Sequence, residues 1–304
     1  MLHLKDSIYT DIKGIQSPAV IPEDVPDIHS VLSQPFKYLD GGSRTVAFLS
    51  SDGQYVLKLL KSPAAIATQF KMWGIDLATV SWSPAIGNAS AAAEILFHRS
   101  VESIKLAARE LQHQTGLIYV HLMQTSSLKT KLNAAGFQIE ADAIPFVIQV
   151  KAQLVKDRLT ELLDRGDSEK AKLVLDQVLD LVIDFWSHGI TEDTFNFHTN
   201  YGYTGADKLI QIDVGELHHS LPKLLEEARD QRILRNDSFK WLASTYPDLA
   251  SYFTQQVHHW FPQAVAGLFA SGIPSAGTSS TLTDRKEKYD GGEASGSFHE
   301  LRPF

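Results

Sequence analysis

Lys58 stands in the run Gln54-Tyr55-Val56-Leu57-Lys58-Leu59-Leu60, where strand alternation puts Val56, Lys58 and Leu60 on one face and Leu57 and Leu59 on the other. A lysine in the middle of so apolar a strand must reach solvent or meet a charge, because burying an unpaired ammonium is costly. Whatever fold the chain adopts has to supply one or the other at that point.

The strand closes a ribbon. Phe36-Lys37-Tyr38-Leu39 leads into the turn Asp40-Gly41-Gly42-Ser43, and Thr45-Val46-Ala47-Phe48-Leu49 continues it. Ser51-Asp52-Gly53 then reads as a hairpin turn, since Asp-Gly supplies the positive φ that tight hairpins require. A Gly-Gly turn is a common way to join two strands. It also lets backbone N–H groups approach phosphate oxygens with no side chain in the way. As a phosphate cradle the pattern is degenerate, with Arg44 near where a third glycine would fall.

From Ser90 to Gln114 the apolar set Ala93, Phe97, Val101, Ile104, Ala108 and Leu111 recurs at helical spacing, which predicts a helix with one buried stripe that Gly116 stops. Glu94 and Glu102 border that stripe on one side. Either could meet Lys58, or simply face solvent. Strands are expected at Leu117–Leu122 and Pro145–Val150, and a long helix capped by Asp167 or Ser168 follows. Helix starts are read at Ser220, Asn236 and Asp248, the last helix running to Pro262. The aromatic cluster Trp241, Tyr246, Tyr252, Phe253, Trp260 and Phe261 reads as the core of a helical half.

A β-rich half followed by a helical half gives an α+β, two-lobed order. The expected divisions are an N-terminal extension over 1–35, a β-rich lobe with one long helix over 36–152 and a helical lobe over 153–273. The last stretch, 274–304, is rich in Ser, Gly, Thr and charge and reads as a disordered tail open to a protein partner. The stretch 61–88 reads as an irregular insertion.

A second cluster carries more specific chemistry. Asn200 and Asp213 stand thirteen residues apart, with the turn Thr204-Gly205-Ala206-Asp207 and the strand Leu209-Ile210-Gln211-Ile212 between them. A hairpin brings their side-chain oxygens to one end, and two hard oxygen ligands plus phosphate oxygens are a common magnesium site. Asp213 could otherwise cap the next segment.

Composition removes several alternatives. A net charge of -8 argues against an electrostatic nucleic-acid binder. The absence of cysteine excludes disulfides, thiolate zinc sites and cysteine nucleophiles, and accords with the cytoplasmic location expected here. No run approaches the length of a membrane helix. There is no His-Glu-x-x-His run and no Gly-x-Ser-x-Gly elbow, so the usual signs of a zinc or serine hydrolase are missing.

Glycine turn, Val56-Leu57-Lys58, a helix bearing Glu102, the strand Phe146–Val150, Asn200 and Asp213-Val214-Gly215 follow one another in an order that resembles the protein-kinase-like superfamily, which includes small-molecule kinases related to aminoglycoside phosphotransferases. The resemblance covers roughly Phe36 to Gly215. It implies that Gly41, Gly42 and Ser43 cradle ATP, that Lys58 contacts phosphates and pairs with Glu102, that Asn200 and Asp213 bind Mg2+, and that backbone around Phe146–Lys151 holds adenine.

The departures are as informative. The family places an aspartate five residues before the asparagine, and that position here is Phe195. Asp193 and Glu192 are the nearby acidic residues, able to act as base if the loop is long, or to form a solvated turn. Little chain separates Gly215 from the helix expected at Ser220, which leaves no room for a protein-kinase activation segment. The expected function is therefore an ATP-dependent phosphotransferase on a small molecule. The alternatives are a pseudokinase that acts as a binding module and an unrelated interaction protein.

Overall fold

The computed structural model of the chain describes residues 27–72, 89–221, 225 and 231–270, all within one compact unit that ends at Ser271. The tail read at 274–304, most of the N-terminal extension and residues 73–88 of the insertion lie outside the described residues.

A short helix, α1 (Ile28–Leu32), opens the described chain, with Asp27 capping it by accepting from the His29 N–H. Strands β1 (Pro35–Gly41), β2 (Thr45–Ser50) and β3 (Tyr55–Leu60) follow as an antiparallel meander. One residue of β1, Leu39, has no partner in β2, since the register jumps from Tyr38 opposite Phe48 to Asp40 opposite Ala47. It is a bulge just before the glycine turn. Gly53 adopts φ +72° in the Asp-Gly turn, as that turn type demands.

The stretch after β3 departs from the irregular insertion expected: it begins as a helix, α2 (Pro63–Met72). Next come α3 (Ala89–Glu110), β4 (Leu117–His121), β5 (Lys131–Ala134), β6 (Phe137–Glu140) and β7 (Phe146–Val150). The predicted stripe of α3 is buried along its length, from Ala93 to Leu111. The sheet order is β4-β7-β3-β2-β1-β5-β6, so β3 is interior, with Lys58 between Ala47 of β2 and Val147 of β7. The β5–β6 hairpin extends the sheet beyond β1 by a parallel pairing at Pro35 and Phe36. On one face Phe36, Phe48, Leu57, Leu59, Phe146 and Ile148 form a core with Leu32 of α1. Packing of these large apolar side chains is the main stabilising term for this half.

The second half opens with β8 (Ala152–Leu154) and α4 (Val155–Asp164), then α5 (Ser168–Ser187) and β9 (Ile190–Glu192). A single helical turn at Phe197–Asn200 precedes β10 (Tyr201–Thr204) and β11 (Leu209–Gln211), and β12 (Leu217–His219) pairs with β9. Helices α6 (Asp237–Thr245) and α7 (Pro247–Ala270) end the described chain. Asn236 caps α6 through its side chain, which accepts from the Phe239 N–H at 2.9 Å. α7 runs through Pro262 instead of ending there. Phe253 and Phe261 of the aromatic cluster are core residues, against Phe197 and Trp186 respectively, but Trp260 is exposed. The fold is α+β, a β-rich lobe followed by a helical lobe, and no helix among the described residues is long and apolar enough to cross a membrane.

Candidate functional site

Lys58 meets the oxygen its strand position requires, though not the expected one. Its Nζ donates to the backbone carbonyl of Ile212, and the Asp213 carboxylate is the charge that acts on it. Burial holds the Lys58 ammonium below the usual lysine range, and Asp213 opposes that shift. The Lys58 side chain keeps some contact with solvent and Asp213 is exposed, so the pair sits at a surface opening.

The hairpin of β10 and β11 positions Asp213. Tyr201 lies opposite Gln211, and beyond that pair the Asn200 carbonyl accepts from the N–H of Ile212 at 2.7 Å and of Asp213 at 3.4 Å. The hairpin thus brings Asn200 and Asp213 together through backbone. The Asn200 side-chain oxygen accepts from Thr199 Oγ1 at 3.3 Å, and Asp213 Oδ1 accepts from the Gly215 N–H at 3.1 Å. Gly202 explains the glycine after Asn200-Tyr201: a Cβ there would stand 2.7 Å from the Gln153 carbonyl of β8.

Lys58 and Asp213 line a cavity of about 50 Å³ together with Gly42 and Ser43 of the glycine turn, Arg44, Thr45 of β2, Ser100 and Ile104 of α3, and Val147. The turn is held down over it. Lys61 Nζ donates to the Gly42 carbonyl at 2.5 Å, and the Gly41 N–H donates to Asp40 Oδ1 at 2.7 Å. Arg44 reaches across to the Asp213 segment, donating from Nη1 to the Gly215 carbonyl at 3.1 Å and pairing Nη2 with Glu216 at 2.7 Å.

Glu102 is not brought to Lys58. Its carboxylate is 70% exposed and pairs with Lys105 at 2.7 Å, because helical phase turns it away from the buried side that carries Ser100, Ser103 and Ile104. The residue that ties α3 to the site is Ser103. Its hydroxyl donates to the Val214 carbonyl at 2.5 Å and accepts from the Leu217 N–H at 2.6 Å.

The two acidic residues before Asn200 occupy different environments. Glu192 is 1% exposed, with its carboxylate accepting from Tyr201 Oη at 2.5 Å and from Gln211 Nε2 at 2.8 Å. Those are structural bonds, and they hold β10 and β11 against β9. Asp193 is more open, 4.0 Å from His218 Nδ1, in the wall of a groove of about 830 Å³ between α3 and β12. That groove meets the small cavity at Arg44 and Gly215. Phe195 is buried, and its carbonyl accepts from Asn236 Nδ2 at 2.5 Å.

The strand end expected to hold adenine is already engaged. The Val150 N–H donates to the Gly116 carbonyl at 2.9 Å and the Lys151 N–H to the Gln54 carbonyl at 2.8 Å. Arg44, Lys61, Ser103 and the Ile212 carbonyl are the site groups that sequence reasoning did not assign. Two serines on the buried side of α3 were the available signal for one of them, because a buried hydroxyl needs partners.

No protein-family model matches the chain, and no curated protein matches it. Among solved structures it is similar to the bifunctional kinase-methyltransferase WbdD, at 14% identity over 77% of this chain and 44% of that one, with a TM-score of 0.35. A high-resolution crystal structure of WbdD aligns at 13% identity over 74% and 46%, with a TM-score of 0.37. Monomeric WbdD aligns at 12% over 69% and 44%, with a TM-score of 0.34. The chain spans less than half the length of these proteins, and likeness this slight carries nothing about activity.

Proposed function

We propose that the chain is a kinase-like nucleotide-binding protein, an ATP-dependent phosphotransferase that acts on a small molecule with Mg2+. The observation that carries this reading is the gathering of the Lys58 ammonium, the Asp213 carboxylate and the glycine turn around one cavity. In this reading Lys58 holds phosphates as a compact charge, and Gly41, Gly42 and Ser43 cradle them. Asp213 and Asn200 supply hard oxygens to Mg2+. Among the described residues no three His, Cys, Asp or Glu side chains cluster to hold an ion, so phosphate oxygens complete the shell. Asp213, which lines the cavity, is the donor that fits magnesium in a nucleotide complex, and Asn200 adjoins it through backbone. The acceptor molecule enters by the larger groove, where Asp193 is the base that takes its hydroxyl proton.

A second reading is a pseudokinase that binds nucleotide without transfer. Phe195 at the family's aspartate position favours it, as does the engagement of the Val150 and Lys151 amides.

Thermal unfolding with nucleotide tests the proposal. At about a hundredfold excess over Kd, Mg-ATP stabilises a protein by about 2.7 kcal/mol, which for a chain of this size raises Tm by several degrees. Asp213→Ala is expected to abolish the shift while the far-ultraviolet circular dichroism stays that of the parent. No shift at millimolar Mg-ATP would overturn both readings. Asp193→Asn separates them: loss of turnover with binding retained supports the enzyme, whereas a parent that binds and never turns over supports the pseudokinase.

A further inference from the structure

We propose that Arg44 is a phosphate-binding residue that exchanges its contacts with Gly215 and Glu216 for the terminal phosphate of a bound nucleoside triphosphate. The inference rests on the nucleotide reading above and assigns a residue that neither the glycine turn nor Lys58 accounts for. Arg44 ends that turn and lines both the small cavity and the larger groove.

Three features of the guanidinium point to an anion. Its Nε–H is buried and has no hydrogen-bond partner, while Nη1 and Nη2 are held by Gly215 and Glu216. Buried donors are nearly always satisfied, so an orphaned one on a cation marks a place where an acceptor is missing. The second feature is position. A Cβ built on Gly215 would stand 3.4 Å from both Arg44 Nη1 and Asp213 Oδ1, so the guanidinium and the metal-ligand carboxylate converge on the same glycine. The third is charge. The residues lining the cavity include two cations, Lys58 and Arg44, against one anion, Asp213. A triphosphate carries more charge than one lysine and one Mg2+ neutralise, and a planar guanidinium fork matches phosphate oxygens better than an ammonium.

The cavity also dictates that something must give way. At about 50 Å³ it is far smaller than the several hundred cubic ångströms of an ordinary cofactor site, so a triphosphate has to displace part of its wall. The Arg44 clasp spans from the turn to the Asp213 segment. A terminal phosphate offers the same guanidinium stronger acceptors than a carbonyl does, and Glu216 retains its bond from Thr194 Oγ1 at 2.8 Å when released.

Calorimetric titration of the full chain with Mg-ATP and with Mg-ADP tests this. The parent is expected to bind Mg-ATP more tightly than Mg-ADP. Arg44→Ala should weaken Mg-ATP by about tenfold and leave Mg-ADP within about threefold, the size of one charge-assisted contact. Arg44→Lys should recover part of the preference. Glu216→Gln, which loosens the clasp but keeps an oxygen for Thr194, should tighten Mg-ATP relative to Mg-ADP. Equal loss for both nucleotides in Arg44→Ala, or an unchanged ratio, would show the arginine to be only a structural latch. If Arg44→Ala does not fold, an unchanged ratio in Glu216→Gln refutes the exchange. A parent that binds neither nucleotide removes the underlying reading as well, so the two failures are distinguishable.

Discussion

Replacing Glu192 by alanine is expected to lower the unfolding free energy by about 3–5 kcal/mol, as two buried donors each lose a hydrogen bond to a charged acceptor worth about 1.5–3 kcal/mol. The carboxylate is the acceptor for Tyr201 Oη and Gln211 Nε2, and both donors are buried. Gln211 Nε2 also donates to the Asp213 carbonyl at 2.9 Å, so it keeps one bond when the carboxylate is lost. Glu192→Gln keeps one acceptor and is expected to cost about 1–2 kcal/mol. Urea unfolding gives both values, and a midpoint unmoved by Glu192→Ala would show that this side chain reaches solvent. The comparison also bears on catalysis. A residue whose removal loosens β10 and β11 from β9 lowers activity by unfolding the site, so rate loss at Glu192 is no sign of a base. Asp193, which is more open to solvent, is free of that ambiguity.

Lys58→Met is expected to stabilise the protein by about 1–2 kcal/mol while abolishing its response to Mg-ATP, because a crowded ammonium costs stability that a thioether chain of similar length does not. The pH dependence has a definite sign. Burial makes the folded protein hold this proton less tightly than the unfolded chain, where lysine titrates near its ordinary value of 10.5. Between the lowered folded value and 10.5 the unfolded state therefore binds more protons, so stability rises with pH through that window. Lys58→Met should lack that alkaline rise. A variant that is less stable than the parent at neutral pH would mean that the bond to the Ile212 carbonyl outweighs desolvation. Stability surrendered at a strand interior is what a binding role predicts.

Much of this arrangement was legible because it depends on side-chain pattern. Alternation around Lys58 placed β3, the stripe from Ala93 to Leu111 placed α3, and the Asn200–Asp213 spacing placed the β10–β11 hairpin. Other elements left weak traces. Lys131-Leu132-Asn133-Ala134 has little strand propensity, and its turn depends on Ala135 and Gly136 taking φ of 50° and 85°. Helix α4 starts directly from β8 with no side-chain cap at Leu154. Pro262 suggested a helix end, yet buried Val257 and Phe261 anchor α7 on its amino-terminal side. At the site, charge complementarity suggested Glu102, but helical phase selected Ser103. The carbonyls of Ile212 and Gly215 could not be found in sequence, since every residue carries one.

The unpaired Leu39 divides the glycine ribbon mechanically. Its root is braced on both sides, by β2 and by the parallel pairing of Pro35 and Phe36 with β5, and the Ala135 N–H adds a further bond to the Phe36 carbonyl. Along β1 its tip, from Asp40 to Arg44, joins that root through this unpaired residue, while β2 runs from root to tip paired with β3 without a break. The extra residue gives β1 a local bend and added twist beside a continuous β2. The glycine turn beside Lys58 is therefore carried on a strand that is bent before its tip, with its root fixed in the core by Phe36.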